Sequence, residues 1–88
     1  PEVLYTALTH SREPLGMMNL IYFVQLLAEE QNSNPELEYL ISNREMWFIP
    51  VVNPDGYVYN ELIEPNGGGM HRKNRLYFLY LTMYRLFQ

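Results

Sequence analysis

The sequence predicts an α/β fold in which a mixed, mostly parallel sheet is covered by helices. Two apolar runs, residues 3–8 and residues 46–52, have the length and the composition of strands. The stretch between them contains two helical patterns and is long enough for a crossover, the connection that joins parallel strands. We therefore expect a strand–helix–helix–strand unit, whose two strands need not be nearest neighbours.

The first strand and the first helix are strongly apolar. Residues 3–8 contain five apolar residues in six with little alternation, which is typical of a strand buried on both faces. Pro14 suits the first position of a helix, so Glu13 is the expected N-cap residue. Eleven of the fourteen residues 15–28 are apolar, so we expect this helix to be covered on most sides.

Asparagine and proline mark the start of a second, shorter helix. Asn34, Pro35 and Glu36 combine an N-cap residue, a proline at the first helical position and an acidic residue in the first turn. The pattern predicts a helix that runs to about Ile41.

Turn-forming residues dominate the chain from the second strand onward. Pro50 lies within the predicted strand 46–52 and favours an edge strand or a bulge. The Asn-Pro-Asp-Gly sequence of residues 53–56 predicts a turn, with residues 57–59 as a short extension beyond it. Residues 65–69 predict a flexible loop that lacks the pattern of a phosphate-binding loop.

The composition excludes several classes of protein. The 88 residues contain no Cys, which excludes a disulfide scaffold and a cysteine zinc finger, and 48% hydrophobic content argues against disorder. Residues 1–70 carry two basic and ten acidic side chains (−8), and residues 71–88 carry four basic ones and no acidic one (+4), which sum to −4. Because most of the chain is acidic, we expect no nucleic-acid partner.

The apolar stretches are too short to indicate a membrane protein. The longest, residues 15–28 and 76–87, fall below the roughly 18 residues typical of a membrane span, so we expect none in this segment. The first residues show neither a charged region nor a small-residue cleavage site, so we expect no signal peptide within them.

His10 and Glu13 form the first candidate site. They lie three residues apart where the first strand ends and the first helix begins, a common location for sites in α/β sheets. An imidazole and a carboxylate there can both reach one zinc ion. The alternative is that Glu13 only caps the helix and His10 is a surface residue. Ser11 has no evident His or Asp partner and is expected to be exposed.

Arg72 is the second candidate, in a basic run over residues 71–75. A guanidinium that points into a zinc site can polarise a carbonyl and stabilise a developing oxyanion. A solvated basic turn is the alternative interpretation, and a nucleic-acid patch fits poorly with the acidic remainder of the chain.

Three sequence motifs follow one another along the chain and contain the candidate residues His10, Glu13 and Arg72. Residues 10–14 (His-Ser-Arg-Glu-Pro), 48–57 (Phe-Ile-Pro-Val-Val-Asn-Pro-Asp-Gly-Tyr) and 72–75 (Arg-Lys-Asn-Arg) resemble the zinc carboxypeptidases of the carboxypeptidase A/B type. The resemblance runs from about residue 3 to residue 75. It implies a phosphorylase/hydrolase-like α/β fold, bound Zn²⁺ and hydrolysis of C-terminal peptide bonds, with peptide or protein C-termini as substrates.

The resemblance also implies roles for individual residues. His10 and Glu13 match the first two zinc ligands of the family, and Arg12 matches a residue of an outer substrate subsite. Arg72 matches the substrate-binding arginine that stabilises the oxyanion. His71 falls where relatives usually have another residue, so we do not expect it to be a ligand.

Several functional motifs of the family have no counterpart in this chain. The second zinc histidine, the substrate-carboxylate clamp and the general-base glutamate all follow the Arg-Lys-Asn-Arg motif in relatives, and none appears here. We therefore expect the chain to be inactive alone. The resemblance favours an extracellular or secretory location.

The resemblance divides the chain in two. Residues 1–75 match the N-terminal portion of the catalytic domain, whereas residues 76–88 form an apolar tail, with ten apolar residues in thirteen, that departs from the family. A frameshift, an unspliced intron or an alternative exon would explain the change.

Two other functions remain open. The chain could be a non-catalytic product that acts through binding, or an amidohydrolase related to aspartoacylase, which shares the fold and a His-x-x-Glu pair. The motifs at residues 53–57 and 72–75 favour the peptidase.

Overall fold

The architecture was determined from a computed structural model that describes residues 1–75. The elements, in chain order, are β1 (Glu2–Thr6), α1 (Pro14–Glu30), α2 (Pro35–Asn43), β2 (Glu45–Ile49) and α3 (Pro54–Ile63). The apolar tail predicted over residues 76–88 lies outside the described residues.

The two strands form a parallel sheet. β1 pairs with β2 along its whole length, from Glu2 opposite Glu45 to Thr6 opposite Ile49. The connection between them contains α1 and α2, so the predicted α/β class and the crossover are confirmed. The two strands are direct neighbours, a point that the sequence left open.

α1 begins as predicted and runs further than the apolar stretch. Pro14 occupies its first turn and Glu13 is the N-cap residue, but the Glu13 side chain makes no capping hydrogen bond. Its carboxylate instead contacts His10. Glu13 therefore occupies the N-cap position, but its side chain bonds to His10 and not to the helix backbone.

α2 follows its sequence signals closely. The Asn34 side chain accepts hydrogen bonds from the backbone N–H groups of Glu36, at 3.1 Å, and Leu37, at 3.4 Å. These bonds satisfy two donors that a helix N-terminus otherwise leaves unpaired. The helix ends at Asn43, two residues beyond the predicted end.

The segment after β2 differs from the prediction. β2 ends at Ile49, so Pro50 lies beyond the strand and produces no bulge. Residues 53–56 begin α3 instead of forming a turn, and residues 57–59 are helical instead of extended. The physical reason is that Asn53 caps the helix while Pro54 occupies a first-turn position, where its missing N–H costs nothing.

α1 packs on one face of the sheet. On that face the rings of Tyr5 and Phe48 stack at 5.2 Å, and Phe23 of α1 contacts both. On the other face Leu4 is 59% exposed and Trp47 is 55% exposed. The predicted burial of the first strand on both faces is therefore wrong for the described residues, because α1 packs on the side of Tyr5 and Phe48 while Leu4 and Trp47 stay exposed on the other.

α1 is also less covered than its composition predicts. Leu20 and Leu27 are its buried residues, whereas a series of large apolar side chains along the same helix is exposed: Leu15, Met18, Ile21, Tyr22 and Val24. A helix this apolar on two sides is typical of one that lies between layers of a larger domain.

Candidate functional site

The candidate site lies beyond the carboxyl ends of the two strands. Backbone pairing continues past the strands, because Ala7 donates to the Ile49 carbonyl at 3.1 Å and accepts from the N–H of Val52 at 3.0 Å. Leu8, which is buried, accepts from the N–H of Asn53 and has a φ of 52°, in the left-handed region that non-glycine residues rarely adopt. These contacts fix the direction in which the chain leaves β1 toward His10.

His10 and Glu13 are brought together at this edge. Their Nδ1 and Oε2 atoms lie 2.9 Å apart, and their side chains are 37% and 59% exposed. Two ligand atoms of a four-coordinate zinc site with bonds of about 2.0 Å are separated by roughly 3.3 Å. At 2.9 Å the two atoms are hydrogen-bonded to each other and lie somewhat closer than two zinc ligands, so both side chains would have to separate slightly to bind one ion. Both side chains are accessible from solvent.

Among the described residues, no third metal-binding side chain completes a site with His10 and Glu13. Within residues 1–75 no group of three or more His, Cys, Asp or Glu side chains could hold a metal ion. The ring of His71 packs edge-on against Tyr59, with the centroids 4.8 Å apart, and its Nε2 is buried without a hydrogen-bond partner in this part of the chain. The described residues thus supply two candidate metal donors, His10 and Glu13.

Arg72 is attached to the same loop through its backbone. Ser11, which lies between His10 and Arg12, donates its N–H to the Arg72 carbonyl at 3.0 Å. The Arg72 side chain is exposed. The sequence motif at residues 10–13 and the basic motif at residues 72–75 therefore meet directly in the structure.

Arg12 lines an open groove of about 380 Å³ beside this loop. Tyr57 and Glu61 of α3 form one wall of the groove, and Gly68 and Met70 belong to the loop that follows the helix. Arg12, a candidate substrate-binding residue, thus lines a concave surface.

Three buried polar residues hold these segments together: Ser11, Asn53 and Asn60, with exposures of 1%, 7% and 8%. We call them the polar cluster. The Ser11 hydroxyl donates to the His71 carbonyl, so Ser11 is buried and bonded where the sequence predicted an exposed residue. Ser11 and Asn53 lie within family motifs but were expected at the surface and in a turn, and no motif contains Asn60, because the partners that reveal all three roles are distant in the sequence.

Asn53 has two structural tasks. Its Oδ1 accepts from the N–H of Gly56 at 3.0 Å, which caps α3, and its Nδ2 donates to the Lys73 carbonyl at 3.0 Å. A Cβ atom at Gly56 would lie 2.7 Å from the Cβ of Ser11. The glycine therefore permits the close approach of α3 to the loop that carries the His–Glu pair.

The described residues thus form an α/β unit with a His–Glu pair, two donor types of a zinc site, at the carboxyl edge of its sheet and with the Arg72 backbone hydrogen-bonded to the same loop. Comparison with known families makes this specific. The family model described as zinc carboxypeptidase matches residues 1–77. The chain belongs to the zinc carboxypeptidase family, whose members include metalloproteases that act as hydrolases.

Individual relatives support the assignment over the same region. A zinc carboxypeptidase of Saccharothrix mutabilis subsp. capreolus is 37% identical over 75 residues, which are 85% of this chain and 17% of that protein. A metallocarboxypeptidase A of Arthroderma otae is 29% identical over 75 residues, with the same coverage. Carboxypeptidase D of Drosophila melanogaster is 31% identical over 61 residues, 69% of this chain and 4% of that protein.

The chain therefore spans about a sixth, 17%, of the Saccharothrix and Arthroderma proteins. No solved structure gives a significant match. Among the described residues, none of the helices has the length and apolar character needed to cross a membrane.

Proposed function

We propose that residues 1–75 are the N-terminal portion of a catalytic domain that hydrolyses C-terminal peptide bonds with the help of zinc. The observation that carries the proposal is the 2.9 Å separation of His10 Nδ1 and Glu13 Oε2, on a loop to which Arg72 is hydrogen-bonded. The family assignment supplies the reaction class. Peptide or protein C-termini are the proposed substrates.

Each of the four site residues has a distinct proposed role. His10 and Glu13 would hold the zinc ion, which when bound activates water as a nucleophile and polarises the scissile carbonyl. The Arg72 guanidinium binds the carbonyl oxygen of the substrate and stabilises the negative charge that develops there. Arg12, on the groove, binds a substrate residue further from the scissile bond.

We expect the 88-residue chain to be inactive by itself. The described residues supply two metal donors, whereas catalytic zinc sites use three protein ligands, and a carboxylate placed to act as general base is also needed. Zinc binding should be weak, and purified chain with zinc should release no C-terminal residues. One tightly bound zinc with peptide hydrolysis would contradict this expectation.

A chimeric enzyme tests the proposal directly. Residues 1–75 would replace the segment with which they align in the Saccharothrix zinc carboxypeptidase, so that the remainder of that protein completes the domain. We call this protein the 1–75 chimera. We expect it to bind one zinc and to hydrolyse C-terminal peptide bonds. A folded chimera that binds zinc without hydrolysing peptides would favour the non-catalytic binding function instead.

Zinc affinity of the 1–75 chimera tests the two ligands. His10→Ala and Glu13→Gln should each weaken zinc binding and abolish most activity, because each removes a donor from the metal. Glu38→Gln, at an exposed glutamate of α2, is the matched control and should change neither. Zinc content after dialysis against a chelator distinguishes the outcomes, and unchanged content in both ligand variants would refute the assignment.

The division of the chain after residue 75 is a separate proposal. We propose that residues 76–88 depart from the family through a frameshift, an unspliced intron or an alternative exon, because ten of these thirteen residues are apolar and the family match reaches only to residue 77, two residues into the segment. Translation of the genomic DNA beyond codon 75 in all frames should reveal a further zinc-histidine or Asn-Arg motif. Absence of both motifs from every frame would reject the proposal.

We further propose that the protein enters the secretory pathway. Family resemblance is the support for this location. Antibody detection of the protein in culture medium or in secretory compartments of the source cells should be positive. Detection in the cytosol alone would contradict it.

A further inference from the structure

We propose that Asn60 is a positioning residue for Arg72. Its side-chain amide joins the segment that carries Arg72 to the loop that carries His10 and Glu13. The inference rests on the proposed function, in that it assumes that Arg72 binds the reacting carbonyl. Asn60 itself lies in α3, outside the three family motifs.

The amide of Asn60 uses both its donor and its acceptor on these two segments. Nδ2 donates to the His71 carbonyl at 2.8 Å and to the Ser11 carbonyl at 3.3 Å, and Oδ1 accepts from the His71 N–H at 2.8 Å. Asn60 therefore pairs with both backbone groups of His71, the residue that immediately precedes Arg72. A side chain of another type would leave at least one of these partly buried groups without its partner.

The position of Arg72 depends on these backbone contacts. Its side chain is exposed, and within residues 1–75 its guanidinium has no hydrogen-bond or ion-pair partner. The residue is fixed by its own carbonyl, which accepts from Ser11, and by its neighbour His71, which Asn60 holds. Loss of the amide would remove the partner of the His71 N–H and leave the two Ser11 bonds to hold the backbone next to Arg72, while the guanidinium stays intact.

The close packing around Asn60 leaves little space for its side chain to move. A Cβ atom at Gly69 would lie 2.6 Å from Oδ1 of Asn60 and 2.7 Å from its Cβ. The loop before the basic motif thus passes directly against the amide. Gly69→Ala should displace Asn60 without altering its chemistry, which provides a second, independent way to disturb the same contacts.

Steady-state kinetics of the 1–75 chimera provide the main test. Removal of a group that stabilises an oxyanion lowers kcat by about 10²–10³-fold, which is the loss expected for Arg72→Ala. A misplaced group can cost about 10²-fold, so Asn60→Ala and the isosteric Asn60→Asp should each lower kcat by about 10–10²-fold. Zinc content should stay at one per molecule. Asn19→Ala, at an exposed asparagine of α1, is the matched control and should keep the parent kcat.

A double variant separates positioning from general stability. If Asn60 acts through Arg72, Asn60→Ala should cause less than a twofold further loss of kcat when Arg72 is already alanine. A full further loss would overturn the proposal, because it would show that Asn60 supports the fold or another group. Parent kcat in both Asn60 variants would overturn it as well.

Hydrogen exchange measured by mass spectrometry decides the question independently of activity. In the folded chimera, Asn60→Ala and Gly69→Ala should speed exchange at the amides of His71 and Ser11, with β1 and β2 unchanged. Unchanged exchange at both amides would overturn the proposal. If the parent chimera folds and is inactive, the proposed function fails, and the exchange pattern alone tells whether Asn60 holds this segment.

Discussion

At the scale of single residues, the most buried side chain in the described chain belongs to the loop that carries the two proposed zinc ligands. Ser11 is 1% exposed, although Arg12 and Glu13 beside it are exposed. Its N–H donates to Arg72 and its hydroxyl to His71. A loop anchored in this way presents His10 and Glu13 from a fixed backbone, which would lower the entropic cost of ordering them around the proposed zinc ion.

Gly56 offers a prediction at this scale. A methyl group there would lie 2.7 Å from the Ser11 Cβ and 2.8 Å from the Asn53 side chain, so Gly56→Ala should destabilise the 1–75 chimera by about 1–3 kcal/mol. Gly16→Ala is the matched control, because nothing lies within 4 Å of its added Cβ, and a helical alanine should stabilise by about 0.5–1 kcal/mol. Urea denaturation measures both. Equal effects of the two substitutions would contradict the close packing at Gly56.

At the scale of elements, local signals and long-range contacts determine different helices. α2 has its cap, its proline and its first-turn acids within a few residues, and its Asn34 cap forms as the sequence predicts. α3 also begins with Asn-Pro, but its cap residue Asn53 is additionally bonded to Lys73, twenty residues away. The two helix starts therefore look alike in sequence and differ in what supports them.

The cap of α2 can be tested alone. Asn34→Ala removes the acceptor for two backbone N–H groups and should lower the free energy of unfolding of the 1–75 chimera by about 0.5–2 kcal/mol. Asn34→Asp keeps the acceptor and should retain most of the stability. Thermal denaturation followed by circular dichroism compares the two variants. A loss as large for aspartate as for alanine would exclude capping as the cause.

The difference between local signals and long-range contacts also explains how much of the structure can be predicted from the sequence alone. The two strands, α1 and α2 follow from apolar runs and local caps, although the sequence leaves open whether the strands pair with each other. The candidates His10, Glu13, Arg12 and Arg72 follow from the family motifs. The Asn-Pro-Asp-Gly sequence of residues 53–56 suits both a turn and a helix start, and its pattern alone predicts a turn. Contacts with distant segments favour the helix that the structure shows. Asn60 could not be predicted, since its partners Ser11 and His71 are 49 and 11 residues away.

At the scale of the whole molecule, the sheet has one covered and one bare face. Leu4 and Trp47 are paired across β1 and β2 on the bare face, and Ile49 beside them is 46% exposed. Contiguous exposed apolar residues of this kind mark surfaces that other parts of a protein or other chains cover. Because the chain spans 17% of its Saccharothrix relative, we infer that the remainder of such a domain covers this face.

Substitution of Leu4 should therefore have opposite effects in the 88-residue chain and in the 1–75 chimera. In the 88-residue chain Leu4 is 59% exposed, so Leu4→Lys removes part of the bare face and should reduce aggregation, measured by light scattering during heating. In the 1–75 chimera the same lysine would be buried without a partner and should lower the free energy of unfolding by at least roughly 2 kcal/mol. Asn19→Lys adds the same charge at an exposed position of α1 and should do neither. A stable Leu4→Lys chimera would mean that this face remains open to solvent in the complete domain.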